Sequence, residues 1–142
     1  MDRSNSVPFQ LAGLDHLVLR IRDRARMIGF YCDVLGCRVE REQPELGLTQ
    51  LRAGRALIDF VELDSKLGRL GGAGPQREGR NLDHFCLGIS PFDEAALRAH
   101  LTRHHVEIGE TGQRYGAEGE GLSLYLQDPE GNTVELKAGR ID

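Results

Sequence analysis

Cysteine is scarce in this chain of 142 residues: Cys32, Cys37 and Cys86 are the only three, they form no CxxC pair, and an odd number argues against a disulfide framework. Reduced thiols fit a cytoplasmic protein, which is the expectation. Long apolar runs are also lacking. No stretch approaches the roughly 18 residues that a spanning helix needs, and Met1 to Gln10 has neither the charged start nor the continuous apolar stretch of a secretion signal. Positive charge is not in excess either. The formal net charge is −4, with acidic and basic residues interleaved, which excludes a broad basic footprint for nucleic acid. What is present is the balance of a globular domain, 39% hydrophobic and 28% charged, at a length sufficient for one proper core. The expected partner is a small molecule, with no role for nucleic acid or membrane.

Self-similarity organises the chain. LDHLVLRI at residues 14–21 returns as LDHFCLGI at 82–89, an offset of 68 with five of eight positions identical. Both copies alternate as strands do. A helical pattern follows each: Arg24 to Leu35 puts Met27, Ile28, Tyr31, Val34 and Leu35 on one face and ends at Gly36, while Phe92, Ala95, Ala96, Ala99 and His100 share a face in the second half. Strand candidates then run Arg38 to Glu42, Leu48 to Ala53 and Ala56 to Leu63 in the first half. In the second they run Val106 to Glu110, Leu122 to Gln127 and Thr133 to Lys137, with Asp128-Pro129-Glu130-Gly131-Asn132 as a turn. Both halves spell β-α-β-β-β, an α+β arrangement. The division is an N-terminal extension at 1–12, a first module at 13–64, a mobile glycine-rich linker at 65–80 and a second module at 81–138.

Residues two apart in a strand share a face. Leu17, Leu19 and Ile21 therefore oppose His16, Val18 and Arg20, and Phe85, Leu87 and Ile89 oppose His84, Cys86 and Gly88. The apolar faces pack on the helices, so both histidines look into the concave side. In the last strand Val134 and Leu136 pack inward and leave Glu135 on the His84 side. Two carboxylates compete for the corresponding place in the first half. A gapless overlay of 51–63 on 124–136 pairs Glu62 with Glu135, but Glu62 shares the parity of Ile58 and Phe60. Asp59 falls on the cavity face and is preferred, with Glu62 as the fallback.

Other polar residues carry weaker signals. His100, His104 and His105 belong to the second helix and its end, where an imidazole commonly meets the dipole or solvent. Cys86 reads as a small apolar filler on the His84 face. Arg20, Arg114 and Tyr115 are candidates for gripping a substrate carboxylate or phosphate, against the reading of solvated surface arginines. The glycine-rich stretch from Gly116 to Gly121 lacks phosphate-loop spacing and reads as a mobile loop over the cavity mouth.

LDHLVL, then GFYCDVLG at 29–36, LDHFCL and LYLQDPEGNTVEL together resemble the vicinal-oxygen-chelate superfamily of glyoxalases, bleomycin- and fosfomycin-resistance proteins and extradiol dioxygenases, over roughly Gly13 to Ala138. The resemblance implies two βαβββ modules curled into an open, cup-shaped mixed sheet with helices outside. It implies a divalent metal (Zn, Ni, Mn, Co or Fe) held by His16, His84 and Glu135, with Asp59 or water at a fourth position, and Glu135 or Asp59 available to move a proton. The implied activity is that of a metal-dependent enzyme like glyoxalase I, a lyase, isomerase or thiol transferase on a substrate with adjacent oxygens. Extradiol dioxygenases and ligand-sequestering proteins share the ligand pattern. A homodimer, with or without exchanged modules, is the implied assembly.

Overall fold

The computed structural model describes residues 7–141; the first six residues of the expected extension lie outside the described residues. Each half builds one four-stranded mixed sheet. Strands β1 (His16–Ile21), β2 (Arg38–Gln43), β3 (Leu48–Ala53) and β4 (Ala56–Glu62) make the first, in the order β1-β4-β3-β2. Strands β5 (Phe85–Ile89), β6 (Ile108–Gly116), β7 (Gly119–Gln127) and β8 (Thr133–Ala138) make the second, in the order β5-β8-β7-β6. Among the described residues the only parallel pairings are β1 with β4 and β5 with β8, because the helix carries the chain across before the next strands return as antiparallel hairpins.

Helix α1 spans Arg24–Gly29 and continues as a π-helical turn at Phe30–Val34; α2 spans Glu94–Arg103. Aspartates cap both: Asp23 accepts from the Arg26 amide and Asp93 from the Ala96 amide, each at 3.1 Å. Gly36 ends the first helix at a φ of 79°, a conformation open to glycine and costly for other residues. The core face of α2 differs from the expected one. Ala95, Ala96 and Ala99 are exposed, while Leu101 is fully buried and Leu97 packs beside it. Two leucines four residues apart bury far more apolar area than the alanines, and that area sets the helix rotation.

Ile21, Met27, Tyr31, Ile58 and Phe60 form the first core, and Leu101, Leu124, Leu126, Val134 and Leu136 the second. Phe30, Leu35, Phe85 and Leu87 pack against both, so the modules share one apolar seam. Polar ties reinforce it. The Asp128-Pro129-Glu130-Gly131-Asn132 turn sends Glu130 to accept from the backbone amides of Arg22 and Asp23 at 2.7–2.9 Å, beside the start of α1. His100 Nε2 lies 2.8 Å from the Val34 carbonyl, which accounts for one of the helical histidines.

Two expectations about loops are overturned. Residues 116–121 are no mobile lid: β6 and β7 pair in continuous register from Thr111 to Gly116 opposite Gly119, so the glycines close a long hairpin. The 65–80 segment carries a 3-10 turn at Gly68–Gly71 and is tied down from β1 and its end. Arg20 donates to the carbonyls of Gly68, Gly72 and Ala73, and Arg22 to that of Pro75. Added Cβ atoms at Gly71 and Gly74 would collide with these arginines, so small residues let the segment lie close to them.

Candidate metal centre

Strand register places the expected ligands in matching positions. In the first module Val18, two residues after His16, stands opposite Asp59; in the second Cys86, two residues after His84, stands opposite Glu135. Asp59 is therefore the register equivalent of Glu135. Ile58 and Phe60 flank it in the core and force it to the other face, where it is 4% exposed. Glu62, one register step past Val61 at the end of β4, pairs with Ile21 instead.

The second half-site is fully knit. His84 Nε2 lies 3.1 Å from Glu135 Oε1, and Ser123 donates its hydroxyl to Glu135 Oε2 at 2.5 Å. Tyr125 stands opposite Glu135 in the sheet, its ring edge-on to His84 with centroids 5.5 Å apart. Burial works against ionising Glu135, but the hydroxyls of Ser123 and Tyr125 and the His84 imidazole outweigh it and hold the carboxyl below its usual range. In the first half-site Gln50, opposite Asp59, donates to Asp59 Oδ2 at 3.2 Å. Asp59 Oδ1 is buried and has no partner among the described residues.

The repeated Leu-Asp-His signature has a geometric meaning. Asp15 Oδ1 lies 2.7 Å from His16 Nδ1, and Asp83 Oδ2 lies 2.7 Å from His84 Nδ1. A carboxylate on Nδ1 favours the tautomer that presents Nε2 as the ligand atom, the arrangement that metal-binding histidines use; in His84 that nitrogen lies against Glu135. These hydrogen bonds are the leading cause of the raised pKa of both imidazoles, opposed by burial.

The donor set suits a divalent cation. Two imidazoles and two carboxylates on the strand faces turned away from the helices match Zn, Ni, Mn, Co or Fe. An orphaned buried carboxylate oxygen such as Asp59 Oδ1 is costly unless something satisfies it, and a cation does so. Among the described residues no three His, Cys, Asp or Glu side chains converge as a metal site.

The expected substrate contacts fare unequally. Arg20 is committed to three backbone carbonyls of the linker and is not free to grip a ligand. Tyr115 is 80% exposed but stands opposite Glu120, on the sheet face turned away from Ser123 and Glu135. Arg114 stands opposite Gly121, on the Ser123 side, with its guanidinium 5.5 Å from the Tyr125 ring centroid. Cys86 lies on the same face, its thiol pushed up to about 11 by burial and by the Glu135 charge. Sequence reasoning missed Gln50, Ser123 and Tyr125. The signal was available, since alternation about the core residues Leu51 and Leu124 puts all three on the cavity side.

Comparison with known proteins agrees with this architecture. Residues 13–136 match the model of the Glyoxalase/Bleomycin resistance protein/Dioxygenase superfamily. A protein of Bacillus subtilis named catechol-2,3-dioxygenase is 29% identical over 123 residues, covering 86% of this chain, which spans only 40% of that relative's length. An integron cassette protein from the mobile metagenome of V. cholerae superposes with a TM-score of 0.73 at 26% identity, covering 94% of this chain and all of the other. Lactoylglutathione lyase from Agrobacterium tumefaciens shares the fold, with a TM-score of 0.65 at 21% identity over 91% of this chain and 95% of that one. The repeat, the paired sheets and the matched half-sites thus have one source: this chain belongs to the Glyoxalase/Bleomycin resistance protein/Dioxygenase superfamily.

Proposed function

We propose that this protein is a metal-dependent small-molecule enzyme resembling glyoxalase I, a lyase, isomerase or thiol transferase whose substrate chelates a divalent cation through adjacent oxygens. The observation that carries the reading is the equivalence of two half-sites, His16 with Asp59 and His84 with Glu135, each histidine backed by its preceding aspartate. His16, Asp59, His84 and Glu135 would hold the cation, which would supply Lewis acidity to stabilise negative charge on the substrate oxygens at neutral pH. The chain supplies the rest. Ser123 fixes the orientation of Glu135, whose second oxygen faces His84 and is placed to accept or return a proton. Tyr125 offers the cavity a ring face and a hydroxyl, and Arg114 adds positive charge over that ring.

Because three ligands do not converge within the chain, among the described residues, we assign the complete site to a homodimer in which His16 and Asp59 of one copy meet the other two ligands from the second copy. Mixing His16→Ala with His84→Ala chains tests this, since exchanged half-sites restore one intact site per mixed dimer and in-chain sites restore none.

A second reading, an extradiol-type dioxygenase, draws on the 29% identity to the catechol-2,3-dioxygenase. Metal analysis of protein purified without chelator separates the two. Nickel or zinc, lost in His16→Ala and His84→Ala, favours glyoxalase-like chemistry; iron with a yellow product from catechol favours ring cleavage. Failure to load any cation overturns both and leaves a ligand-sequestering protein.

A further inference from the structure

Lys137 is the charged group that the metal chemistry leaves unused. Alternation along β8 turns Val134 and Leu136 into the core and puts Lys137 on the same face as Glu135, two residues away. It is only 6% exposed. Gly88 stands opposite it on β5 and Ser123 on β7, so the strands beside it carry small residues. The side chain crosses the β6–β7 hairpin in the space that two glycines leave. A Cβ on Gly121 would stand 3.0 Å from Nζ, and one on Gly116 would stand 3.1 Å from both Cδ and Cε.

The ammonium has no counterpart of its own among the described residues. Among the described residues it enters no hydrogen bond, and no carboxylate lies within 4.0 Å of it. A lysine buried to this degree keeps its head in water by running its stem along the sheet; its nitrogen, unlike Asp59 Oδ1, is not a buried orphan, so an anion can reach it. Arg114 on the same face is less available, since it donates to the Gln113 carbonyl and lies near Glu110. On the Glu135 face of the sheet Lys137 is therefore a cation without a counter-ion among the described residues, next to the carboxylate that Ser123 orients.

We propose that Lys137 is a specificity-determining residue that binds an oxyanion of the substrate, a carboxylate or a phosphate, beside Glu135. The substrate is then held at two points, its adjacent oxygens at the metal and its anionic group on the Lys137 ammonium. The role of Glu135 in this picture rests on the proposed function; the anion contact itself needs no metal.

The test is an NMR titration of the full chain, as purified and again after chelator treatment, with acetate and with inorganic phosphate, following the amides of Gly116, Gly121 and Ser123. Saturable shifts are expected in both preparations, and the tighter of the two anions identifies the group recognised. Lys137→Met should weaken that binding by at least about tenfold, as loss of a charge-assisted hydrogen bond does, and Lys137→Arg should restore most of it. Gly121→Ala keeps the charge but fills the groove, and should weaken binding while the melting temperature confirms a folded chain. Shifts that persist unchanged in Lys137→Met, or the absence of saturable shifts with either anion, overturn the proposal. Loss of shifts on chelation, with no dependence on Lys137, assigns the anion to the metal and also overturns it. Failure of the metal reading would appear separately, as protein that loads no cation yet still binds the anion through Lys137.

Discussion

The Tyr31 hydroxyl donates to Asp128 Oδ2 at 2.7 Å, a buried hydrogen bond that ties the first helix to the last turn of the chain, 97 residues away. Burial, then the Asp128 carboxylate, pushes the phenol far above its usual range, so the hydroxyl keeps its proton. Asp128 also accepts from the amides of Glu130 and Asn132 and from the Asn132 side chain. Removing the hydroxyl in Tyr31→Phe should cost about 1.5–3 kcal/mol, the worth of a hydrogen bond to a charged group. Asp128→Ala should cost more, because the turn loses its own bonds as well. Urea unfolding measures both, and a Tyr31→Phe chain as stable as the wild type would show the tie to be dispensable.

Arg20 tests what holds the segment between the modules. Its guanidinium reaches three carbonyls across the Gly68–Ala73 stretch, so Arg20→Ala should release that stretch to proteases and leave metal content unchanged. Cleavage between 68 and 79 at the wild-type rate would deny the clasp, and lost metal would return Arg20 to the site.

Strand parity made the faces of the candidate residues legible because the rule depends only on local geometry. His16, His84, Asp59 and Glu135 all take the face that alternation about Leu17, Phe85, Phe60 and Leu136 predicts. The β-α-β-β-β order was readable for the same reason. Local patterns did not reveal long-range occupation. Arg20 has the parity of a ligand-facing residue, yet carbonyls about fifty positions away had already claimed it. The glycines at 116 and 121 looked like loop residues because their cause, the Lys137 side chain lying across them, belongs to another strand. Tyr115 was misplaced because β6 was expected to stop at Glu110, whereas it runs to Gly116 with a register shift between Ile108 and Thr111.

Asp59 and Glu62 offer a contest with opposite signs. Asp59 Oδ1 is buried without a partner among the described residues, so the metal-free protein is strained by the group that a cation would satisfy. Asp59→Asn should leave the melting temperature of chelated protein equal or higher, while shrinking the rise on metal addition and weakening metal affinity about 10- to 100-fold. Glu62→Gln should change neither. Equal metal affinity in Asp59→Asn, with a loss in Glu62→Gln, would transfer the ligand to Glu62.

Protons and metal compete for the same two imidazoles. Asp15 on His16 and Asp83 on His84 are the first causes that raise these pKa values above 6.5, against burial, with the Asp59 and Glu135 charges adding to the effect. A raised folded pKa means that protonation stabilises the metal-free fold. That contribution is fully present below 6.5, the unfolded value, and is lost as pH rises through the folded pKa. Metal ligation requires neutral imidazole, so the metal-bound state runs the other way. The melting-temperature rise on metal addition should therefore grow from about pH 6 to about pH 8. At the acid end up to about two protons should be released per ion, seen by calorimetry in buffers of differing ionisation enthalpy. Asp15→Asn and Asp83→Asn remove the leading cause at each ring, so the onset of metal binding should move to lower pH. Proton release that stays constant across this range, or is unaffected in His16→Ala and His84→Ala, would remove both histidines from the ligand set.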